Sequence, residues 1–237
     1  MLNFAGAHRL LFNEIHITLG AISVVLASVL FYLFLKVYRT QRSLYLLAVP
    51  TGFLFLTISY FFLFLHLLYP YVLTLSPSLM WVRVVTQTWG FTLIALSYFL
   101  SNKMQKTTRH TILDISGWSI AAVICIFGFL MLLSPTGLYG IYFDNILFTV
   151  ANLFLLSYIL FFITRKFEHT SGSVSGLASA PLAFALLWLG QFCFLVWDLD
   201  GGGEASLISS QVARVLSLVL FIRIYYLASE ESVVVDG

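Results

Sequence analysis

Seven apolar runs, separated by short polar or charged segments, follow one another along this chain. Each is close to the ~20 residues that a helix needs to cross the hydrocarbon core of a bilayer. The predicted spans are 15–35, 43–69, 80–102, 113–134, 143–164, 178–197 and 205–227. We therefore expect an all-α fold, a polytopic bundle of seven transmembrane helices in which residues 1–237 form a single membrane domain.

The charge content supports this assignment and excludes several classes of protein. Only 9% of the residues are charged and 60% are hydrophobic, whereas an ordinary soluble domain is about one-quarter charged. The net charge of +2 gives no basis for a nucleic-acid partner. Cys125 and Cys193 both lie inside apolar runs, so they indicate neither a disulfide framework nor a metal site.

Basic residues are concentrated on one side of the predicted bundle. They are Lys36, Arg39, Arg42, Lys103, Lys106, Arg109, Arg165, Lys166 and Arg223. The opposite side carries most of the carboxylates, namely Glu14, Asp144, Asp198, Asp200 and Glu204. Because cytoplasmic loops retain Lys and Arg, we expect a multi-pass protein of the cell membrane with its amino terminus outside and its short acidic tail in the cytoplasm.

Polar side chains in four of the helices fall at a common depth. A rise of 1.5 Å per residue places Gln87, Asn152, Gln191, Gln211 and Arg214 roughly 9 to 14 Å below the outer surface. Helical spacing puts them on polar stripes that should face inward. The predicted ligand-binding set adds two charged residues nearer the surface and comprises Arg83, Gln87, Asn152, Gln191, Asp198, Gln211 and Arg214.

Arg214 is the most informative member of this set. A guanidinium deep in the bilayer costs about 2.5 to 3.5 kcal/mol on insertion scales unless it has a partner. One hypothesis is an outward-facing pocket in which Arg214 and Arg83 hold an anionic group while Gln87, Asn152 and Gln191 orient the ligand. The alternative is structural, because interhelical amides and a buried Arg–Asp pair also hold bundles together.

The sequence gives little support for catalysis or for a bound cofactor. No HExxH, GxSxG or phosphate-binding loop is present. The histidines near the membrane, His16 and His66, favour helix packing over haem or metal ligation. The segment DLDGGGE at 198–204 lacks the ligand count of a calcium loop and is typical of an acidic turn. We therefore expect no catalytic residue, no metal site and no cofactor.

The topology resembles that of seven-helix receptors and microbial opsins. Arg83 near the start of the third span, together with Trp89, Trp188 and Trp197, is similar to an opsin's layout. The seventh span contains no lysine, so a retinal Schiff base cannot form there. The topology is also similar to that of the seven-helix sensory modules attached to microbial signalling kinases, although no kinase segment follows here.

Three functions remain open on the sequence. A receptor or sensor would bind a small ligand, anionic if Arg214 contacts it, in an outward-facing polar pocket. A structural or assembly subunit would instead use its polar and small-residue faces to contact a membrane-protein partner. A small-solute transporter would need access from both sides, yet internal repeats and proline-broken helix pairs are not evident. We expect the first of these functions, a receptor or sensor. In all three cases the lipid bilayer surrounds the protein.

Overall fold

The computed structural model describes residues 4–41, 44–68, 76–106, 141–168, 179–199 and 203–235, and all of the secondary structure in them is helical. The six helices are α1 (Phe4–Gln41), α2 (Leu44–Leu68), α3 (Ser76–Lys106), α4 (Ile141–Glu168), α5 (Ser179–Leu199) and α6 (Glu204–Val235). The predicted fourth span, 113–134, lies outside the described residues. An all-helical architecture is therefore confirmed for the described part of the chain.

The first and last helices extend well beyond their apolar runs. α1 begins at Phe4, and α6 continues to Val235 through residues expected to form a short polar tail. The segment ASEESVVV at 228–235 contains neither glycine nor proline. The helix therefore meets no residue there that would break it.

Five of the helices, all except α3, contain a stretch that is long and apolar enough to cross a membrane. α3 is of similar length but carries Arg83, Gln87 and several threonines, which lower its hydropathy. Large apolar side chains cover the exterior of the helix bundle, and Phe154 is 72% exposed. Arg83 and Arg214, in contrast, are buried inside. This distribution is the reverse of that in a soluble protein and indicates a membrane protein.

The described helices form a closed ring in which each packs against its neighbours in the order α1, α2, α3, α4, α5, α6 and back to α1. Most neighbours are antiparallel, but two pairs are parallel. The Trp81 ring contacts Phe148, and the Tyr98 ring contacts Phe162 further along both helices, so α3 and α4 run in the same direction. α1 and α6 are parallel as well, because their contacts advance together from Gln211 to Tyr225 on α6.

These directions give the ring two ends of different charge. α1, α3, α4 and α6 begin at the end that carries Glu14, Asp198 and Glu204, which we call the acidic end. The opposite end, which we call the basic end, carries Lys36, Arg39, Arg165 and Arg223.

A pair of glycines brings α2 and α3 into close contact. A Cβ atom at Gly52 would lie 2.7 Å from Ile94 Cγ1 and 2.9 Å from the Gly90 carbonyl oxygen. A Cβ atom at Gly90 would lie 2.9 Å from the Gly52 carbonyl oxygen. The backbones can therefore approach this closely only without side chains at these two positions.

Aromatic side chains fill the ring interior toward the basic end. Each helix contributes one ring to a continuous chain of ring contacts, with centroids 4.8 to 6.1 Å apart. This aromatic layer consists of Phe34, Phe53, Phe221, Phe184, Tyr98 and Phe162. Buried Leu30, Leu56, Leu156 and Leu218 belong to the same core, so the interior of this half is mainly apolar.

Candidate functional site

Toward the acidic end the ring interior is polar, and every helix contributes to it. The buried side chains of this polar layer are His16, Ser59, Tyr60, Arg83, Gln87, Asn152, Gln191, Ser210, Gln211 and Arg214. Asp198, half-buried at the end of α5, borders the layer on the acidic side. All seven residues predicted to bind a ligand are thus interior or at its edge.

Arg83 extends from α3 across the interior. Its guanidinium carbon lies 4.1 Å from the centre of the Phe194 ring on α5, and Nη1 points to Met80 Sδ at 3.8 Å. Asp198 attracts this guanidinium electrostatically, and Arg214 repels it. Arg83 therefore lies within electrostatic range of both the carboxylate at the acidic edge and the second buried arginine.

Arg214 reaches from α6 toward α2. Its guanidinium carbon lies 4.7 Å from the centre of the Tyr60 ring, and Nη1 has no hydrogen-bond partner among the described residues. The cation–π contact offsets part of the desolvation of the guanidinium, about 2 kcal/mol in a dry site. It does not satisfy the in-plane N–H donors, which point away from the ring face.

The register of the helices places the amides close to the level of Arg214. A Cβ atom built on Gly190 would lie 3.6 Å from the Arg214 backbone nitrogen, so the neighbouring Gln191 shares that level. The contact between Trp81 and Phe148 sets the register of the parallel helices α3 and α4. Counted from that contact, Gln87 and Asn152 lie within about 3 Å of each other along the ring axis.

Hydrogen bonds fix two other parts of the layer. His16 Nδ1 and Gln211 Oε1 are 3.2 Å apart and join α1 to α6. The Ser59 hydroxyl donates to the Arg83 carbonyl oxygen at 2.8 Å and joins α2 to α3. These bonds hold the backbone around the interior while leaving the Gln211 Nε2 group unused.

Eight buried polar atoms of this region have no hydrogen-bond partner among the described residues. They are Tyr60 Oη, Gln87 Nε2, Asn152 Oδ1, Gln191 Oε1, Asp198 Oδ2, Ser210 Oγ, Gln211 Nε2 and Arg214 Nη1. Each such atom costs about 1 to 3 kcal/mol of desolvation. Orphaned groups are ordinarily few and scattered, so their concentration around two arginines is typical of a site that accepts a polar ligand or ordered water.

The sequence predicts the charged and amide members of the layer but not its other members. Tyr60, Ser59 and Ser210 were not predicted as site residues, and His16 was assigned to helix packing. Tyr60 lies in the aromatic run ISYFFLFLHLLY, where composition gives no signal that one ring faces inward. The hydroxyl group of Tyr60 could have indicated an interior position, since a buried phenol usually has a hydrogen-bond partner.

Trp188 lies three residues before the buried Gln191, a spacing at which two side chains share one face of a helix. The Trp188 ring instead stacks on Phe192, and its Nε1 donates to the Ser157 hydroxyl at 2.9 Å, on the exposed side of α4 and α5.

No known protein family matches the chain, and neither a curated protein nor a solved structure is similar enough to count as a relative.

Proposed function

We propose that this chain is a seven-span membrane protein of the receptor or sensor kind, whose polar layer binds a small anionic ligand that enters from the acidic end. The observation that carries the proposal is the group of unpartnered buried polar atoms around Arg83 and Arg214. Two guanidiniums within electrostatic range of one another favour a bound anion between or beside them.

The direction of the helices supports seven spans. α3 and α4 run in parallel, so residues 107–140, which lie outside the described part, connect opposite ends of the ring. A crossing by the predicted span 113–134 would make that connection. With seven spans and a cytoplasmic basic end, the amino terminus and the acidic end face outward.

The aromatic layer favours binding over transport. Between the polar layer and the basic end, the described interior is filled by six aromatic rings and the leucines packed with them. A polar solute would have to displace several large side chains to pass. A receptor needs access from one side only, and the polar layer lies on the acidic side of this apolar core.

The small residues of α1 weigh against the assembly-subunit alternative. Gly20 faces Phe64 of α2, and Ser23 and Ala27 are fully buried within this chain. They are therefore occupied by internal packing and do not form a free face for another subunit.

Native mass spectrometry of the protein purified in mild detergent tests the proposal. We expect a small anionic molecule to accompany the wild-type chain and the Arg223→Gln variant, and to be lost from Arg214→Gln. Arg223 is the matched control because it lies on the same helix, at the basic end, and is exposed. Spectra that do not differ between the two variants would contradict the proposal. A stoichiometric second membrane protein, with an unstable isolated chain, would favour the assembly subunit instead.

A further inference from the structure

Among the described side chains, the charges of the polar layer leave one positive charge in excess. Arg83 and Arg214 contribute two guanidiniums, each at most 2% exposed. Among the described side chains, Asp198 is the carboxylate that attracts Arg83. Arg214 faces the Tyr60 ring, a contact that supplies no negative charge. A buried uncompensated charge is strongly unfavourable, so a ligand that balances the described charges of the layer carries a single net negative charge.

The unpartnered atoms define what else the ligand must offer. Arg214 Nη1, Gln87 Nε2 and Gln211 Nε2 are donors and require acceptor oxygens. Asn152 Oδ1 and Gln191 Oε1, on the adjacent helices α4 and α5, are acceptors and require a donor. A simple halide or an unsubstituted carboxylate would satisfy the donors alone. A ligand that also carries a hydroxyl group would satisfy the donors and supply a proton to one of the two acceptors.

Large side chains that border the polar layer limit the size of the ligand. Phe194 lies against Arg83 on one side, and the Tyr60 ring covers one face of Arg214. Phe91, Ile94 and Leu56 are fully or almost fully buried directly on the basic side of the layer. The ligand is therefore confined between the two arginines and these apolar side chains.

We infer that the ligand is a small monocarboxylate bearing an uncharged hydrogen-bond donor, such as a short hydroxy acid. Its carboxylate binds Arg214 with help from the Gln87 and Gln211 amides, and its hydroxyl group donates its one proton to Asn152 Oδ1. Arg83 and Asp198 balance one another on the acidic side. This inference rests on the proposed function, since it specifies the ligand of the same site.

Titration of the purified full-length protein with defined anions tests the inference. The probes are the sodium salts of glycolate, acetate, succinate and chloride, together with glycine as a zwitterion, at neutral pH in a methanesulfonate background. Binding is measured by calorimetry and by the shift in melting temperature. We expect glycolate to bind about two- to tenfold more tightly than acetate, the contribution of one hydrogen bond. Succinate, chloride and glycine should bind more weakly than acetate.

Two kinds of variant identify the contacts. Arg214→Gln should weaken glycolate binding at least about tenfold, because a charge-assisted hydrogen bond is lost. Arg223→Gln should leave it unchanged. Asn152→Leu, which keeps the shape of the side chain, should bring glycolate down to the affinity of acetate while leaving acetate unaffected. If Arg214→Gln fails to fold, Arg214→Lys replaces it, because lysine keeps the positive charge. This variant should bind glycolate more weakly than wild type, because lysine lacks the planar guanidinium that can form two parallel hydrogen bonds to a carboxylate.

The outcomes separate the two claims. If succinate, chloride or glycine binds most tightly and still depends on Arg214, the ligand site stands and the hydroxy-acid inference is wrong. The same conclusion follows if glycolate and acetate bind equally well in the wild-type protein. If no probe shows binding that depends on Arg214, both the inference and the proposed anion site are rejected.

Discussion

Ser59, Ser210 and Ser217 are three of the fully buried serines in the described helices, and their hydroxyl groups differ in what they reach. Ser59 Oγ donates to the Arg83 carbonyl at 2.8 Å, and Ser217 Oγ donates to the Ala183 carbonyl at 2.7 Å. Ser210 Oγ has no partner among the described residues. The first two hydroxyls join neighbouring helices, whereas the third is available to a ligand or a water molecule.

Alanine substitution should therefore affect these serines differently. We expect Ser59→Ala and Ser217→Ala each to lower the free energy of unfolding by about 1 kcal/mol, the net value of a typical hydrogen bond. Ser210→Ala should leave ligand-free stability unchanged or slightly raised, because it removes an unsatisfied hydroxyl. Thermal unfolding of the three variants in one detergent measures this. Equal losses for Ser210→Ala and Ser59→Ala would show that Ser210 is bonded in the ligand-free state.

How far the site could be predicted from the sequence depends on the cost of each residue in a bilayer. The side chains of Arg214, Gln87 and Asn152 are energetically unfavourable in hydrocarbon, so their presence at one depth predicts an interior layer. The side chains of Ser59 and Tyr60 have only a small energetic penalty in lipid, since a hydroxyl can bond to its own helix and a phenol resembles a lipid-facing ring. Their inward orientation follows only from how α2 packs in the ring.

Packing between α2 and α3 depends on two glycines, one in each helix. The sequence does not indicate that these two glycines contact each other. The apolar runs locate each helix, but the axial register between two helices is not encoded in the period of either one. Gly52 and Gly90 come together because Ser59 bonds at the level of Arg83, which fixes how the antiparallel helices slide past each other. Hydropathy alone is also an incomplete guide to α3. Its polar residues lower the hydropathy of the helix, although the helix packs within the ring.

A methyl group at either glycine should separate these helices. Gly52→Ala would place Cβ 2.7 Å from Ile94 Cγ1, and Gly90→Ala would place it 2.9 Å from the Gly52 carbonyl oxygen. We expect each variant to lose about 1 to 3 kcal/mol of stability, as overpacking ordinarily does. Gly20→Ala is the matched control, since its Cβ would meet Phe64 at an ordinary 3.6 Å. Denaturant titration in mixed micelles compares the three. A loss for Gly20→Ala as large as for Gly52→Ala would refute the proposed cause.

The whole ring is divided along its axis into a polar half and an apolar half. One side chain from each described helix contributes to the aromatic layer, and each helix also contributes to the polar layer. The eight buried polar atoms that have no hydrogen-bond partner among the described residues add nothing to stability in lipid. The division is understandable if the polar half binds a ligand while the apolar half seals the opposite side and holds the helices in register.

The direction of the helices predicts which positions share a side of the membrane. α1 and α6 run in parallel, so Glu14 and Glu204 lie at the same end, and Arg39 and Arg165 lie at the other. We expect a membrane-impermeant maleimide added to intact cells to label Glu14→Cys and Glu204→Cys, each in a cysteine-free background. Arg39→Cys and Arg165→Cys should be labelled only after lysis. Labelling of all four positions in the reverse pattern would keep the ring but invert its orientation, and with it the side from which a ligand enters. Labelling of Glu14→Cys and Glu204→Cys from opposite sides would contradict the parallel arrangement of α1 and α6 itself.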